Sequence, residues 1–160
     1  MIDSNFIKNT EINLPNVPRE TLKELEEYAI SIILKNKDIN LISSSTEKSI
    51  NRRHIIDSAQ IIDFIDNIEI NTCTDLGSGA GLPGIVLGIM MKYKKPQFKV
   101  IFYEKSYHKS KFLLDMSKKF NLNTKVYQKN IFEEKNLSTD VIIARAFKPL
   151  PIIFEIAEKN

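Results

Sequence analysis

After Pro18, apolar residues recur at three- and four-residue steps (Leu22, Leu25, Ala29, Ile32, Ile33), with Glu24, Glu26, Glu27 and Lys35 on other faces. That period predicts an amphipathic helix over 19–36, its acids early in the chain direction, where the helix dipole favours them. Ser43 to Thr46 supply capping candidates, and Ile50, His54, Ile55, Ile61, Ile62 and Ile65 predict a second helix over 46–66. Met1 to Pro15 is polar without a sustained period and reads as a mobile or loosely docked lead-in. Beyond Asn71 the pattern changes. A β-prone segment, Thr72–Leu76, runs into a glycine cluster, and an apolar helix begins at Pro83, where a first-turn proline is tolerated. Phe98–Tyr103, Lys125–Gln128 and Asp140–Ala144 read as further strands, and Tyr107–Phe120 as a helix with Phe112, Leu113, Met116 and Phe120 inward. A last helix starts near Pro149.

Strands separated by helices predict an α/β fold with a parallel sheet covered on both faces. The division expected is a lead-in over 1–18, a helical segment over 19–70 and a sheet-based core over 71–160, forming one domain overall. Length agrees, since 160 residues with 42% hydrophobic content bury a core without staples. The single Cys73 excludes an internal disulfide and a cysteine-rich zinc site. It reads as a small buried apolar residue. The run Ile85–Met91 falls far below the roughly 18 apolar residues of a membrane span, and a cytoplasmic chain without metal is expected.

The net charge of +3 hides a division along the chain. Residues 1–69 carry 8 basic and 12 acidic side chains, 70–130 carry 11 and 3, and 131–160 carry 4 and 5. A basic middle third is the footprint of a polyanion partner, although lysine also fills solvated helix faces by default.

The strongest local signal is Asp75-Leu76-Gly77-Ser78-Gly79-Ala80-Gly81-Leu82-Pro83-Gly84, between a predicted strand and a helix. Such a loop lets a backbone approach a ligand closely, and the helix start offers unpaired N–H groups. A dinucleotide site wants its third glycine three residues after the second, but position 82 is Leu, and Asp75 would repel a pyrophosphate. The pattern suits S-adenosylmethionine better: Asp75 can meet its ammonium directly or through water. Glu104, at the end of the second predicted strand, can accept from both ribose hydroxyls.

Further blocks surround that loop. Asn40-Leu41 and Arg53-His54-Ile55-Ile56-Asp57-Ser58 precede it; Glu104 with Lys109, Lys111, Phe112 and Leu113, then Ala144-Arg145-Ala146-Phe147, follow it. In order and spacing these blocks resemble the bacterial 16S ribosomal RNA guanine-N7 methyltransferase G family, also called glucose-inhibited division protein B. The resemblance implies a class I, Rossmann-like methyltransferase fold and methyl transfer from S-adenosylmethionine to guanine N7, with 16S rRNA or the small ribosomal subunit as partner; a monomer is expected. It places Gly77 and Leu82 at the cofactor, Ile131 and Phe132 on the adenine side, and Arg145 beside cofactor or substrate; the loop itself adds Ser78, Gly79 and Gly81 to the expected cofactor contacts. Arg53, His54, Lys105, Lys109 and Lys111, with Lys92, Lys94 and Lys95, are candidates to hold RNA. The class I fold has seven strands in the order 3-2-1-4-5-7-6, and only four are visible here. The last strands are expected to be missing and the isolated chain to be marginally stable.

Plainer readings stand beside these. His54 sits at an inward helix position and reads as a satisfied core residue or a substrate-side contact. Arg53 and Asp57, four apart, read as an intrahelical ion pair. Arg145 reads as the positioning residue or as a strand-end salt bridge, Phe147 as core or edge packing, and His108 as solvent-facing. A different S-adenosylmethionine-dependent enzyme, or an inactive truncated fragment that binds cofactor or RNA, remain the alternatives in function.

Overall fold

The computed structural model describes residues 12–66 and 69–159. Helix α1 is Arg19–Asn36, and it buries Leu25, Tyr28, Ala29, Ile32 and Ile33 along one face. Its bounds and inward face match the apolar period. Where it is described, the lead-in takes the docked of its two expected forms: Ile12 is buried and its N–H donates to Glu26 Oε1 at 3.2 Å, and Leu14 and Val17 pack partly buried against the core. The remainder of that segment, 1–11, lies outside the described residues.

The single helix expected over 46–66 is instead a series of short turns. A 3₁₀ turn, Ser44–Ser49, leads into a π-helical turn, Asn51–Ile56, then α2, Asp57–Ala59, and α3, Ile62–Ile65. Local hydroxyls compete with the helical ladder at the start: Thr46 Oγ1 donates to the Ser43 carbonyl at 2.8 Å. Asn51, Ile55, Ser58, Ala59, Ile62 and Ile65 still share one buried face. Burial spacing was therefore readable while the hydrogen-bonding pattern was not.

The sheet comprises β1, Thr72–Leu76; β2, Lys99–Tyr103; β3, Thr124–Tyr127; and β4, Val141–Ala144. All pairings are parallel, in the order β3-β2-β1-β4. Helices α4, Gly84–Met91, and α5, Tyr107–Lys119, separate the first three strands, a 3₁₀ turn, Ile131–Glu133, lies between β3 and β4, and α6, Leu150–Glu158, follows β4. Every residue of α4 is buried, because the sheet lies on one side of it and α1 with the short turns on the other. Strand alternation divides the core. Cys73, Val100 and Phe102 join the large cluster with α1, α4 and α5, whereas Leu76 and Tyr103 face a smaller cluster with Ile131, Leu137 and Ile156 of α6. Parallel strands put all their C-terminal ends at one edge, and there the glycine loop leaves β1 and Glu104 leaves β2.

Candidate active site

The glycine loop is held from below. Gly77, Gly79 and Gly81 have φ of 64°, 56° and 89°, in the left-handed region that favours glycine. The N–H groups of Gly77 and Ser78 donate to the Tyr103 carbonyl at 2.9 and 3.2 Å, which ties the loop to the end of β2. Ser78 turns its hydroxyl inward to the Asp75 carbonyl at 2.8 Å, so this predicted cofactor residue presents backbone to the cleft. A Cβ on Gly81 would stand 2.4 Å from Ile85 and 2.8 Å from Leu113, so the loop there is pressed against α4 and α5.

Sequence reading missed Tyr28. Its ring is fully buried on α1, and its hydroxyl donates to the Ala80 carbonyl at 2.7 Å. Burial, and then the nearby Asp75 charge, push the pKa of its hydroxyl well above the phenol's usual value. The available signal was a tyrosine on the apolar stripe of α1, since a buried phenol needs a partner for its O–H.

The two acids play different parts. Asp75 follows the alternation of β1 onto the α4 side, where it is 1% exposed and Oδ2 accepts from the Gly84 N–H at 2.9 Å. Its Oδ1 is buried without a partner among the described residues, and burial pushes the carboxyl up to about 7. Asp75 therefore sits beneath the loop and lines neither half of the cleft, a position that suits the water-mediated alternative of its expected contact with a ligand ammonium and not the direct one. Glu104 does line it. Its Oε2 accepts from the Gly79 N–H and its Oε1 from the Ser106 N–H, both at 2.8 Å, while Ser110 Oγ donates to its carbonyl at 2.9 Å.

The cleft has two halves that share Gly77, Lys109 and Ala146. One, of about 390 Å³, gathers Glu104, Lys105, Ile131 and Phe132 above β2 and β3. Phe132 is half exposed, and its N–H donates to the Asn130 side chain at 3.3 Å, which caps the 3₁₀ turn Ile131–Glu133. Nearby, Glu134 is drawn down to about 2 by Lys129 and by the Tyr103 hydroxyl. The other half, of about 320 Å³, gathers Ser78, Gly79, Leu82, His54 and Arg145 toward β4. Phe147 closes over the loop: a Cβ on Gly77 would lie 2.2 Å from its ring, which also stacks on Phe132 at 6.2 Å. Phe147 is thus edge packing, as its plainer reading held.

Arg145 bridges to the N-terminal turns. It donates to the Arg53 carbonyl at 2.6 Å and pairs with Asp57 Oδ2 at 3.1 Å. The strand-end salt bridge is therefore present, and Asp57 takes Arg145 rather than Arg53 as its partner. The intrahelical reading failed because the π-helical turn changes which side chains lie over one another. His54 is half-buried, with Nε2 2.8 Å from Thr46 Oγ1 and Nδ1 buried without a partner among the described residues. Burial and then Arg145 lower its basicity, with Asp57 opposing.

The lysines separate by sheet edge. Lys105 and Lys109 reach the cleft, but Lys111 faces a groove between α1 and α5, lined by Leu34, Lys35 and Asp115. Lys92, Lys94 and Lys95 follow α4 and so lie toward the opposite edge. Lys92 pairs with Glu24 at 2.6 Å, Lys94 with Asp66 at 2.7 Å, and Lys95 donates to the Asp66 carbonyl at 3.2 Å. These three do not join the candidate site. His108 is exposed and Cys73 buried, as read. Among the described residues no group of three His, Cys, Asp or Glu is placed to hold a metal, and no helix is long and apolar enough to cross a membrane.

Comparison with known proteins agrees with this geometry. The family described as GidB, rRNA small subunit methyltransferase G, matches residues 21–160. The ribosomal RNA small subunit methyltransferase G of Pelagibacter ubique is 52% identical over 147 residues, covering 91% of this chain and 68% of that protein. Its namesakes in Cereibacter sphaeroides (strain ATCC 17025) and Rickettsia rickettsii (strain Sheila Smith) are each 40% identical, over 89% and 86% of this chain and 68% and 69% of theirs. The crystal structure of coclaurine N-methyltransferase bound to N-methylheliamine and SAH superposes with a TM-score of 0.54 at 15% identity, over 97% of this chain and 50% of that one. The fold is that of the class I, Rossmann-like methyltransferases.

Proposed function

Because the chain belongs to the rRNA small subunit methyltransferase G family, we propose that it transfers a methyl group from S-adenosylmethionine to N7 of a guanosine in 16S ribosomal RNA, acting as a cytoplasmic monomer on that RNA or on the small subunit. The observation that carries this reading is the bond from the Gly79 N–H to Glu104, which joins the glycine loop and the acid of β2 in one cleft.

The residues present fit the cofactor. Each Glu104 oxygen accepts one backbone N–H and keeps further lone-pair capacity, which suits ribose hydroxyls. Ile131 and Phe132 offer apolar surface to an adenine, and the Gly77, Gly79 and Leu82 backbone allows close approach. The unpartnered Asp75 Oδ1 would gain a partner from an ammonium reached through water. A pyrophosphate fits poorly beside the Glu104 carboxylate.

When bound, S-adenosylmethionine supplies a methyl group on a positively charged sulfur, open to in-line attack. Guanine N7 carries a lone pair and no proton, so no residue has to act as general base. The chain's task is orientation, which can contribute up to about 7–11 kcal/mol at the extreme. Arg145 is the positioning residue: donors of its fork beyond those given to Asp57 and Arg53 suit guanine O6 or a phosphate. Lys105 and Lys109, on the cleft rim, supply cations for the RNA backbone.

Mass spectrometry of nucleosides from small-subunit RNA tests the reading in the cell. Disruption of this gene is expected to remove 7-methylguanosine from that RNA, and persistence of the nucleoside there would overturn the proposal.

A further inference from the structure

A third groove, of about 850 Å³, runs outward from the cleft and shares His54 and Arg145 with its β4-side half. Arg52 and Arg53 line it, with the neutral polar side chains of Ser49 and Gln60. Both arginines are exposed, and neither guanidinium has a carboxylate partner among the described residues. The one acid on the groove, Asp57, is already engaged by Arg145. This contrasts with Lys92 and Lys94, whose charges are met by Glu24 and Asp66. Two cations without a carboxylate partner therefore stand side by side next to the cleft, in a segment that is acidic in total.

Position along the sheet gives the groove its direction. Glu104 stands at the end of β2, so a sugar bound there lies on the β2–β3 side. The acceptor must then come from the opposite, β4 side, where Arg145 stands and where this groove opens. A π-helical turn, of the kind that recurs at functional sites, carries both arginines and turns the Arg53 carbonyl to Arg145.

We infer that the Arg52–Arg53 groove seats phosphates of the RNA strand that flanks the methylated guanosine, so that the N-terminal turns form the substrate side of the site. This rests on the proposed rRNA activity and adds to it the route by which the RNA enters. Arg52 and Arg53 neutralise two phosphates there, while Ser49 and Gln60 offer neutral donors to the oxygens.

The test compares the full chain with an R52A/R53A variant and a K94A/K95A control that loses the same charge at the opposite edge of the sheet. Binding to in vitro transcribed 16S RNA is measured over a series of salt concentrations, and S-adenosylmethionine affinity by calorimetry. The expected result is about tenfold weaker RNA binding for R52A/R53A, with a salt slope shallower by about 1.4–1.8 and unchanged cofactor affinity. K94A/K95A should keep the wild-type slope. Equal RNA affinity and slope in wild type and R52A/R53A would overturn the groove while leaving the methyltransferase reading intact. Loss of cofactor affinity in R52A/R53A would also overturn it, because the residues would then act on the cleft and not on RNA. A wild-type chain that binds neither cofactor nor 16S RNA would sink both readings together.

Discussion

The phenol of Tyr28 donates to the Ala80 carbonyl at 2.7 Å, so a side chain of the first helix holds the apex of the glycine loop. Ala80 is buried, and no water can take over that bond without the packing opening. Tyr28→Phe leaves the carbonyl unpaired at a cost of about 1–3 kcal/mol. Thermal unfolding should fall by about 3–10 °C, and calorimetry should show weaker S-adenosylmethionine binding. An unchanged melting point would mean that Tyr28 does not brace the loop.

Gly77 and Phe147 make a second pair. A methyl on Gly77 would meet the ring at 2.2 Å, and its φ of 64° disfavours any side chain. Gly77→Ala should therefore lose about 1–3 kcal/mol from crowding together with the backbone cost, and cofactor affinity with it. Adding Phe147→Ala should restore the crowding part alone. Denaturant unfolding of the two single variants and the double variant measures this coupling, and strict additivity would contradict it.

Stability should depend on pH through Asp75. Burial raises its folded-state value to about 7, above the unfolded value near 4, so the folded chain keeps a proton that the unfolded chain releases. That contribution is fully present below about pH 4 and is lost as pH rises through about 7. Asp140 runs the other way, since the N–H groups of Asn71 and Thr72 hold its carboxyl low, but it is common to both proteins compared. Asp75→Asn stays neutral and should gain on wild type by up to about 1.4 kcal/mol per pH unit between pH 4 and 7. Urea unfolding at several pH values checks this, and a difference independent of pH would refute it.

The Arg145–Asp57 pair is partly solvated, with side chains 30% and 52% exposed, so its stabilisation is worth at most about 1 kcal/mol. Its value lies in direction. Arg145→Lys keeps the charge but loses the fork's donors beyond the Nη2 that meets both Asp57 and the Arg53 carbonyl, the donors proposed to face the guanosine. Unfolding should shift little, while kcat/KM for methyl transfer falls by about 100-fold, the scale of a small misplacement of reacting groups. Wild-type kinetics in this variant would remove Arg145 from the positioning role.

Much of this arrangement was legible in the residues, for specific reasons. The glycines of the loop announce left-handed backbone, Pro83 marks the start of α4, and the acid 23 residues past Gly81 lands at the neighbouring strand end because the unit is parallel. What failed depended on contacts far apart in sequence. Tyr28 and Ala80 are separated by 52 positions, and Arg145 meets Arg53 across 92. The helix expected over 46–66 broke because burial needs only one apolar face, which short turns of differing pitch also supply. Charge alone points Lys92, Lys94 and Lys95 to RNA, yet α4 carries them away from the loop and Glu24 and Asp66 neutralise two of them. Asp75 was expected in the cleft, but strand alternation turns it beneath the loop.

The most direct test is methyl transfer itself, comparing the purified chain with its Glu104→Ala variant. Each is incubated with tritiated S-adenosylmethionine and small-subunit RNA lacking the modification, and the RNA is digested to nucleosides. Label is predicted in 7-methylguanosine alone with the wild-type chain, at a rate about 10- to 100-fold lower once the Glu104 carboxylate is gone. Label in another nucleoside, no label at all, or equal rates from the two proteins would contradict the account.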